Sequence, residues 1–140
     1  MALWKFFDYV TADDQNLIRS WYDSQDEAVQ AQFDATLIIL GGIADWEDET
    51  VLEFKPLTNQ HVGLGEIRFH IEERPPGAKK ARRRRFRPVG IWPTGSEYEF
   101  ILILGCEKTR IAYIPAGAFD AALKHKAELE NGRGSIYEHA

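Results

Sequence analysis

An α+β domain is the fold class this chain predicts, on three observations. Polar and apolar residues alternate cleanly from Leu64 to Glu72, an apolar run fills Tyr98 to Cys106, and helical spacing recurs before and after them. Alternation with a period of two sends one strand face to a core and the other to water, whereas apolar residues on both faces mark a strand in mid-sheet. Helices, then a run of strands, then a helix fit an antiparallel sheet with segregated helices better than alternating βαβ units. The expected architecture is a single domain over residues 1–131. It has a small twisted antiparallel sheet, an N-terminal helical hairpin on one side and a C-terminal helix near the sheet's end.

Leu3 to Val10, LWKFFDYV, is rich in aromatics and ends at a polar cluster, as a first strand does. Thr11 stands three residues before Asp14 in the manner of a capping box, so a helix is expected there, with Leu17, Ile18, Trp21 and Tyr22 as its buried stripe. Ser24 with Glu27 is a fuller capping box and opens a second helix, in which Val29, Phe33, Leu37 and Leu40 recur every three or four residues. Gly41 and Gly42 close it, since glycine tolerates left-handed geometry. After an acidic turn at Asp45 to Thr50, Val51 to Leu57 reads as a strand ending near Pro56.

In the alternating stretch, Ile67, Phe69 and Ile71 point to the core, and Glu66, Arg68, His70 and Glu72 to water. Pro75, Pro76 and Gly77 break the strand, and Ala78 to Arg84 is too charged to order itself, so a mobile basic loop is expected within about 74–87. Phe86 to Trp92 resumes an extended path, with Pro88 marking a bulge or an edge because it lacks a ladder donor. Tyr98 to Cys106 is the expected central strand, and Arg110 to Ile114 a short one. Pro115 then opens a last helix carrying Phe119, Leu123 and Ala127, and Asn131 with Gly132 closes it. Residues 132–140 carry no core signal and are expected to fray.

At 140 residues, 44% hydrophobic and 12% aromatic, the chain can build one packed core. No apolar run approaches the roughly 20 residues that cross a bilayer, and Met1 to Val10 lacks the basic start and cleavage site of a signal peptide, so a cytoplasmic protein away from membranes is expected. Cys106 is the single cysteine, which leaves no internal disulfide and no cysteine pair for zinc, and it reads as a small side chain at a strand end. His61, His125 and His139 lack ligand spacing, so neither a metal nor another cofactor is expected.

Charge is the feature that composition alone does not explain. Arg74 to Arg87 holds eight Lys or Arg and no acid, while the other 126 residues hold 9 bases against 22 acids, a net of −13 that the eight bring back to −5. A local positive field attracts a polyanion even on an acidic protein. The plain alternative is a solvated loop whose arginines confer solubility.

Four local patterns then fall in order: FKPL at Phe54 to Leu57, GLGEIRF at Gly63 to Phe69, FR at Phe86 and Arg87, and ILILGCEKT at Ile101 to Thr109 followed by Pro115. In this order and spacing, over roughly Trp4 to Leu129, the chain resembles the RelE/HigB superfamily of toxins from toxin–antitoxin systems, most closely the phage Gp49-like HigB branch. It differs from the family's usual pattern in a longer and more basic segment from Glu73 to Arg84, in Pro88, and in its low pI of about 5.4. The resemblance implies a RelE/ParE-like fold and a ribosome-dependent mRNA endoribonuclease, or mRNA interferase. Its partners would be the ribosome, mRNA and a neutralising antitoxin of helix-turn-helix type.

Metal-free RNA cleavage lets the ribose 2′-hydroxyl attack the adjacent phosphate, which requires a base, an acid and cations for the developing charge. Arg68 on the wet face and Arg87 on the neighbouring strand suit the phosphate, with Lys108 as further charge and His70, two residues from Arg68, as acid or base. Lys55, Lys79, Lys80, Arg82, Arg83, Arg84 and Arg85 are the expected RNA-binding residues. The bland alternatives are a surface ion pair of Arg68 with Glu66 or Glu72, and a half-exposed sheet histidine at position 70. Trp92 and Tyr98 are read as core or as a platform for a base. Two other functions stay open on the same fold: a ParE-like gyrase inhibitor that is not an enzyme, and an RNA-binding module without cleavage.

Overall fold

The computed structural model describes residues 2–140, so Met1, the first residue of the predicted domain, lies outside the described residues. In chain order the elements are β1 (Lys5–Val10), α1 (Leu17–Asp23), α2 (Glu27–Gly41), β2 (Phe54–Pro56), β3 (Leu64–Ile67), β4 (Phe69–Glu73) and β5 (Arg82–Phe86). They continue with β6 (Val89–Ile91), β7 (Glu99–Leu104), β8 (Glu107–Lys108), β9 (Tyr113–Ile114), α3 (Ala118–Glu130) and β10 (Ser135–Glu138). The α+β class is as predicted, but there are two sheets rather than one. A larger sheet has the order β10-β1-β7-β6-β3-β2, and a smaller one the order β4-β5-β8-β9.

The larger sheet is mixed rather than antiparallel, because β1 and β7 run parallel, with Phe6 opposite Phe100. Antiparallel pairing is enforced only between strands joined by tight turns, and β1 and β7 are joined by most of the chain. β7 is central, as predicted, and is buried on both faces. It sends Phe100 and Leu102 into a cluster with Ile18, Phe33, Leu40 and Trp46, and Ile101 and Ile103 into another with Tyr9, Leu64, Ala118 and Ala122. The hairpin thus covers one face and α3 the other, giving three layers. Each such side chain, fully buried, contributes about 1.5–3 kcal/mol. Among the described residues no helix is long and apolar enough to cross a membrane.

Local signals moved by a few residues. α1 starts at Leu17, capped by Asn16, whose side chain accepts from the Arg19 N–H (2.9 Å), while Thr11 sits in a turn before it. α2 is capped by Asp26, which accepts from the Val29 N–H (3.1 Å), rather than by Ser24. A carboxylate at that position also complements the helix dipole. Gly42 does end α2, but at φ −96°, so its left-handed freedom is not used. Pro115 lies before α3, whose N-cap is Gly117 at φ 73°.

Two expectations fail outright. The basic segment is not a loop throughout, since Arg82 to Phe86 form β5, paired with β4 over five registered positions. Cross-strand acids supply what the arginines lack by themselves, Glu73 for Arg82 and Glu107 for Arg84. The C-terminus does not fray either: β10 adds to the edge of β1, and His139 Nδ1 meets Asp8 Oδ1 at 2.6 Å. Asp8, only 3% exposed, also accepts from Asn16 Nδ2 (2.9 Å), so the tail closes a buried polar site that an isolated β1 would leave open.

Candidate nucleic-acid interface

The chain passes directly between a strand of the larger sheet and one of the smaller at three points, of which the third is Gly105–Cys106 between β7 and β8 and the other two carry arginines. Leu64 to Glu73, one strand by alternation, is divided at Arg68, whose N–H donates to the Glu53 carbonyl (2.7 Å). Phe86 to Ile91 is divided at Arg87 and Pro88, where the Arg87 N–H reaches the Cys106 carbonyl (2.8 Å) and the Pro88 carbonyl takes the Ile67 N–H (2.8 Å). The register also shifts between Val89 and Gly90, so the irregularity expected of Pro88 is present. Two of the sequence-predicted arginines therefore stand at the seam between sheets.

Register then sorts the remaining charges by face. Arg85 is the partner of both His70 and Lys108, and Arg83 of Glu72, so these side chains share one face with Arg68 and Arg87 by alternation. Arg82 and Arg84 point to the other face. There Arg82 Nε meets Glu73 Oε1 (2.7 Å), and Arg84 holds Glu107 at two points, Nη2 to Oε1 (2.7 Å) and Nε to Oε2 (2.9 Å). Arg84 also lies over the Phe86 ring, 5.0 Å from its centroid. The Arg82 guanidinium draws the Glu73 carboxyl below its usual pKa, and Glu107 raises that of Arg84. Arg82 and Arg84, both expected among the RNA-binding residues, are thus engaged by the protein's own acids and do not line the cleft.

The face that carries Arg83 and Arg85 floors a cleft of about 480 Å³ lined by Arg68, His70, Arg83, Arg85 and Arg87, and there Arg83 Nη2 also meets Glu72 Oε1 (3.3 Å). Gln32, Thr36 and Ile39, at helical spacing on α2, form one wall, and Leu52 and Glu53 close it. Arg87, expected on the strand beside Arg68, does line the cleft but is only 8% exposed. Its Nη1 donates to the Phe86 carbonyl (2.8 Å), while Nε is buried with no partner among the described residues. Burial pulls its pKa down from the ordinary arginine value, against the pull of Glu66, and guanidinium stays charged regardless.

Glu66 is 2% exposed, because β3 lies inside the larger sheet between β2 and β6, so the wet face predicted for it is covered. Its Oε1 takes Arg68 Nε (3.0 Å) and Nη2 (2.9 Å), which makes the pair a partly buried one rather than a surface pair. Cys106, fully buried, has its thiol pushed up to about 12 by desolvation. Its Sγ contacts the Arg87 carbonyl (3.1 Å), and it is a small buried side chain just past the end of β7.

The other predicted residues do not line the cleft. Lys108 lies one strand beyond Arg85, its Nζ 5.9 Å from the Tyr113 ring centroid. Lys55 is exposed on β2 opposite Glu66, and Lys79 and Lys80 are exposed in the connection from β4 to β5. Trp92 and Tyr98 belong to an aromatic cluster around Trp46, away from the cleft. Glu53, Gln32 and Thr36 were missed. Glu53 is hidden at the end of an acidic run, and only the fold brings it against His70's strand.

Chemically, the cleft offers four guanidinium groups and two groups that can exchange a proton, His70 and Glu53. Among the described residues no three His, Cys, Asp or Glu gather as a metal site would require. Fold and cleft together define an α+β protein with an arginine-lined cleft at the seam of two sheets. No protein-family model, curated protein or solved structure matches this chain.

Proposed function

We propose that the protein is a RelE/HigB-like mRNA endoribonuclease that acts on the translating ribosome in the cytoplasm. The observation that carries the reading is the convergence of Arg68, Arg83, Arg85, Arg87 and His70 in one cleft. Planar guanidinium groups match phosphate oxygens two at a time, and their density suits a chain of phosphates better than one small anion. In the reaction, His70 or Glu53 takes the proton of the ribose 2′-hydroxyl as its oxygen bonds to phosphorus. The bond from phosphorus to the 5′-oxygen breaks, and the other group protonates that oxygen. Arg68, with Glu66 holding its guanidinium, and the buried Arg87 stabilise the charge that grows on the phosphate. The products are a 2′,3′-cyclic phosphate and a 5′-hydroxyl.

The same reading supplies a partner. Ile39 and Leu52 are 47% and 76% exposed at the edge of the cationic cleft. An antitoxin segment with acidic groups for the arginines and an apolar face for this rim would occlude the site.

The test is cleavage of a ribosome-programmed mRNA by Arg68→Ala and Arg85→Ala, each folded to the same extent as wild type. Loss of one positioned cation should lower the rate about 10²-fold to 10³-fold. Full activity in both variants removes the cleft from the mechanism. If the wild type binds mRNA in the cleft but never cuts it, the RNA-binding module is the correct function. If it binds neither RNA nor ribosomes but inhibits gyrase, the ParE-like function is.

A further inference from the structure

The negative charge of the chain has its own feature, remote in composition from the cationic cleft and sharing no lining residue with it. A pocket of about 260 Å³ opens between the Ala44–Trp46 turn and the β6 to β7 connection. Its walls are aromatic. Trp4 stacks on Trp46 with centroids 4.0 Å apart, Trp46 is nearly parallel to Trp92 (12°, 5.3 Å), and Tyr98 stands edge-on to Trp4 (82°, 5.4 Å). Trp4 and Trp46 are anchored by indole N–H bonds to the Ile43 and Leu40 carbonyls (2.7 and 2.8 Å), so the walls are fixed in place. Trp92 and Tyr98 are half-buried, with part of each ring left to solvent.

The lining is also acidic. Asp45, Glu97 and Glu99 contribute carboxylates, and no Lys or Arg lines the pocket. Among the described residues none of the three is in an ion pair. Lys5, opposite Glu99 by register, is exposed and makes no such pair. Tyr98 is held at φ 60°, a region that a bulky side chain rarely adopts, and one found disproportionately at ligand sites. A core aromatic cluster needs neither the acids nor this backbone.

We propose that this pocket is a docking site for an arginine side chain of a partner protein. Indole faces attract a cation through their quadrupole, and carboxylates accept the paired N–H groups of a guanidinium. An arginine satisfies both at once, stacking flat on a ring while its edge reaches an acid. A quaternary ammonium uses only the rings, and a lysine has no planar face to stack. The volume admits one side chain and not a run of bases. This site is independent of any RNA cleavage.

The experiment titrates the full chain with acetyl-Gly-Arg-Gly-amide, following the tryptophan indole N–H resonances by NMR and the heat by calorimetry. The same peptide with citrulline, whose neutral urea replaces the guanidinium and turns one donor group into a carbonyl, should bind about fivefold or more weakly. The lysine peptide and choline should also bind more weakly than the arginine peptide. Glu97→Gln with Glu99→Gln, two side chains outside the core, should weaken the arginine peptide about threefold or more and flatten its salt dependence. Trp92→Leu should abolish binding, and if that variant does not fold, the carboxylate pair still decides. Equal binding of the citrulline peptide, tighter binding of choline, an unchanged affinity in the carboxylate variant, or no indole shift at millimolar peptide would each overturn the assignment.

Discussion

The two sheets use the same backbone ladder for opposite ends. In β7 every residue from Phe100 to Leu104 is buried, and the larger sheet is held by what it excludes from water. In β5 only Phe86 is buried, and Arg82 and Arg84 on one face are matched by Glu73 and Glu107. The opposite face of β5 carries Arg83 and Arg85 into the cleft, with only Glu72 near Arg83, at 3.3 Å. A strand too charged to fold alone is thus ordered by cross-strand acids, most closely at Arg82 and Arg84, while Arg85 faces the cleft opposite His70. Order and function are divided between two faces of one strand.

That division can be tested most severely at the seam. Arg87→Met keeps length and packing while removing a buried charge whose Nε has no partner, so ribosome-dependent cleavage should fall about 10²-fold to 10³-fold. The thermal midpoint should hold or rise, because replacing a poorly paired buried charge by an apolar group is often neutral or stabilising. A large drop in the midpoint would mean that Arg87 serves the fold first. In the larger sheet the opposite pattern is expected of Gly90, where an added Cβ would run into the Ile101 carbonyl and the Phe100 ring. Gly90→Ala should cost about 3 kcal/mol in denaturant unfolding, and the remaining folded protein should bind RNA normally.

The two faces of β5 separate by salt. Arg83→Ala and Arg85→Ala should each flatten the salt dependence of RNA binding by about one contact, whereas Arg82→Ala and Arg84→Ala should leave the slope unchanged. Equal slopes in all four variants would erase the distinction. The smallest effect concerns acid. Arg82 depresses the Glu73 pKa below 4.5, so the stabilisation from this pair is present above that value and lost as pH falls through the lower folded-state pKa. Arg82→Gln should therefore remove a small part of the fall in thermal midpoint between pH 5 and pH 3, measured beside wild type.

What the sequence conveyed follows from how local each signal is. β7 was legible because its apolar run is long, and α2 because its stripe and Gly41 lie within one window. β10 was not, since Ser135 to Glu138 has no core-facing alternation and is ordered by hydrogen bonds to β1 and by Asp8, far away in the chain. At the candidate site, Arg68, His70 and Arg87 could be singled out by type and spacing, and they do line one cleft. The pairing of Arg82 with Glu73 and of Arg84 with Glu107, on the face turned away from the cleft, could not, because it depends on which acids lie across from β5. Nor could the burial of Glu66, which needs β2 and β6 on either side of it.

The crossings at Arg68 and at Arg87–Pro88 also act as phase locks. Side chains alternate along a strand, so inserting or deleting one residue on the far side of a crossing would invert every face beyond it. One residue added after Ile67 would turn Phe69 outward and drive His70 toward the core, yet would leave β3 itself undisturbed. Lengthening the connection from 74 to 81 carries no such penalty, since both of its ends are re-registered by pairing between β4 and β5. The smaller sheet can therefore tolerate changes in reach at its tip, while the crossings at Arg68 and at Arg87–Pro88 admit no change in length.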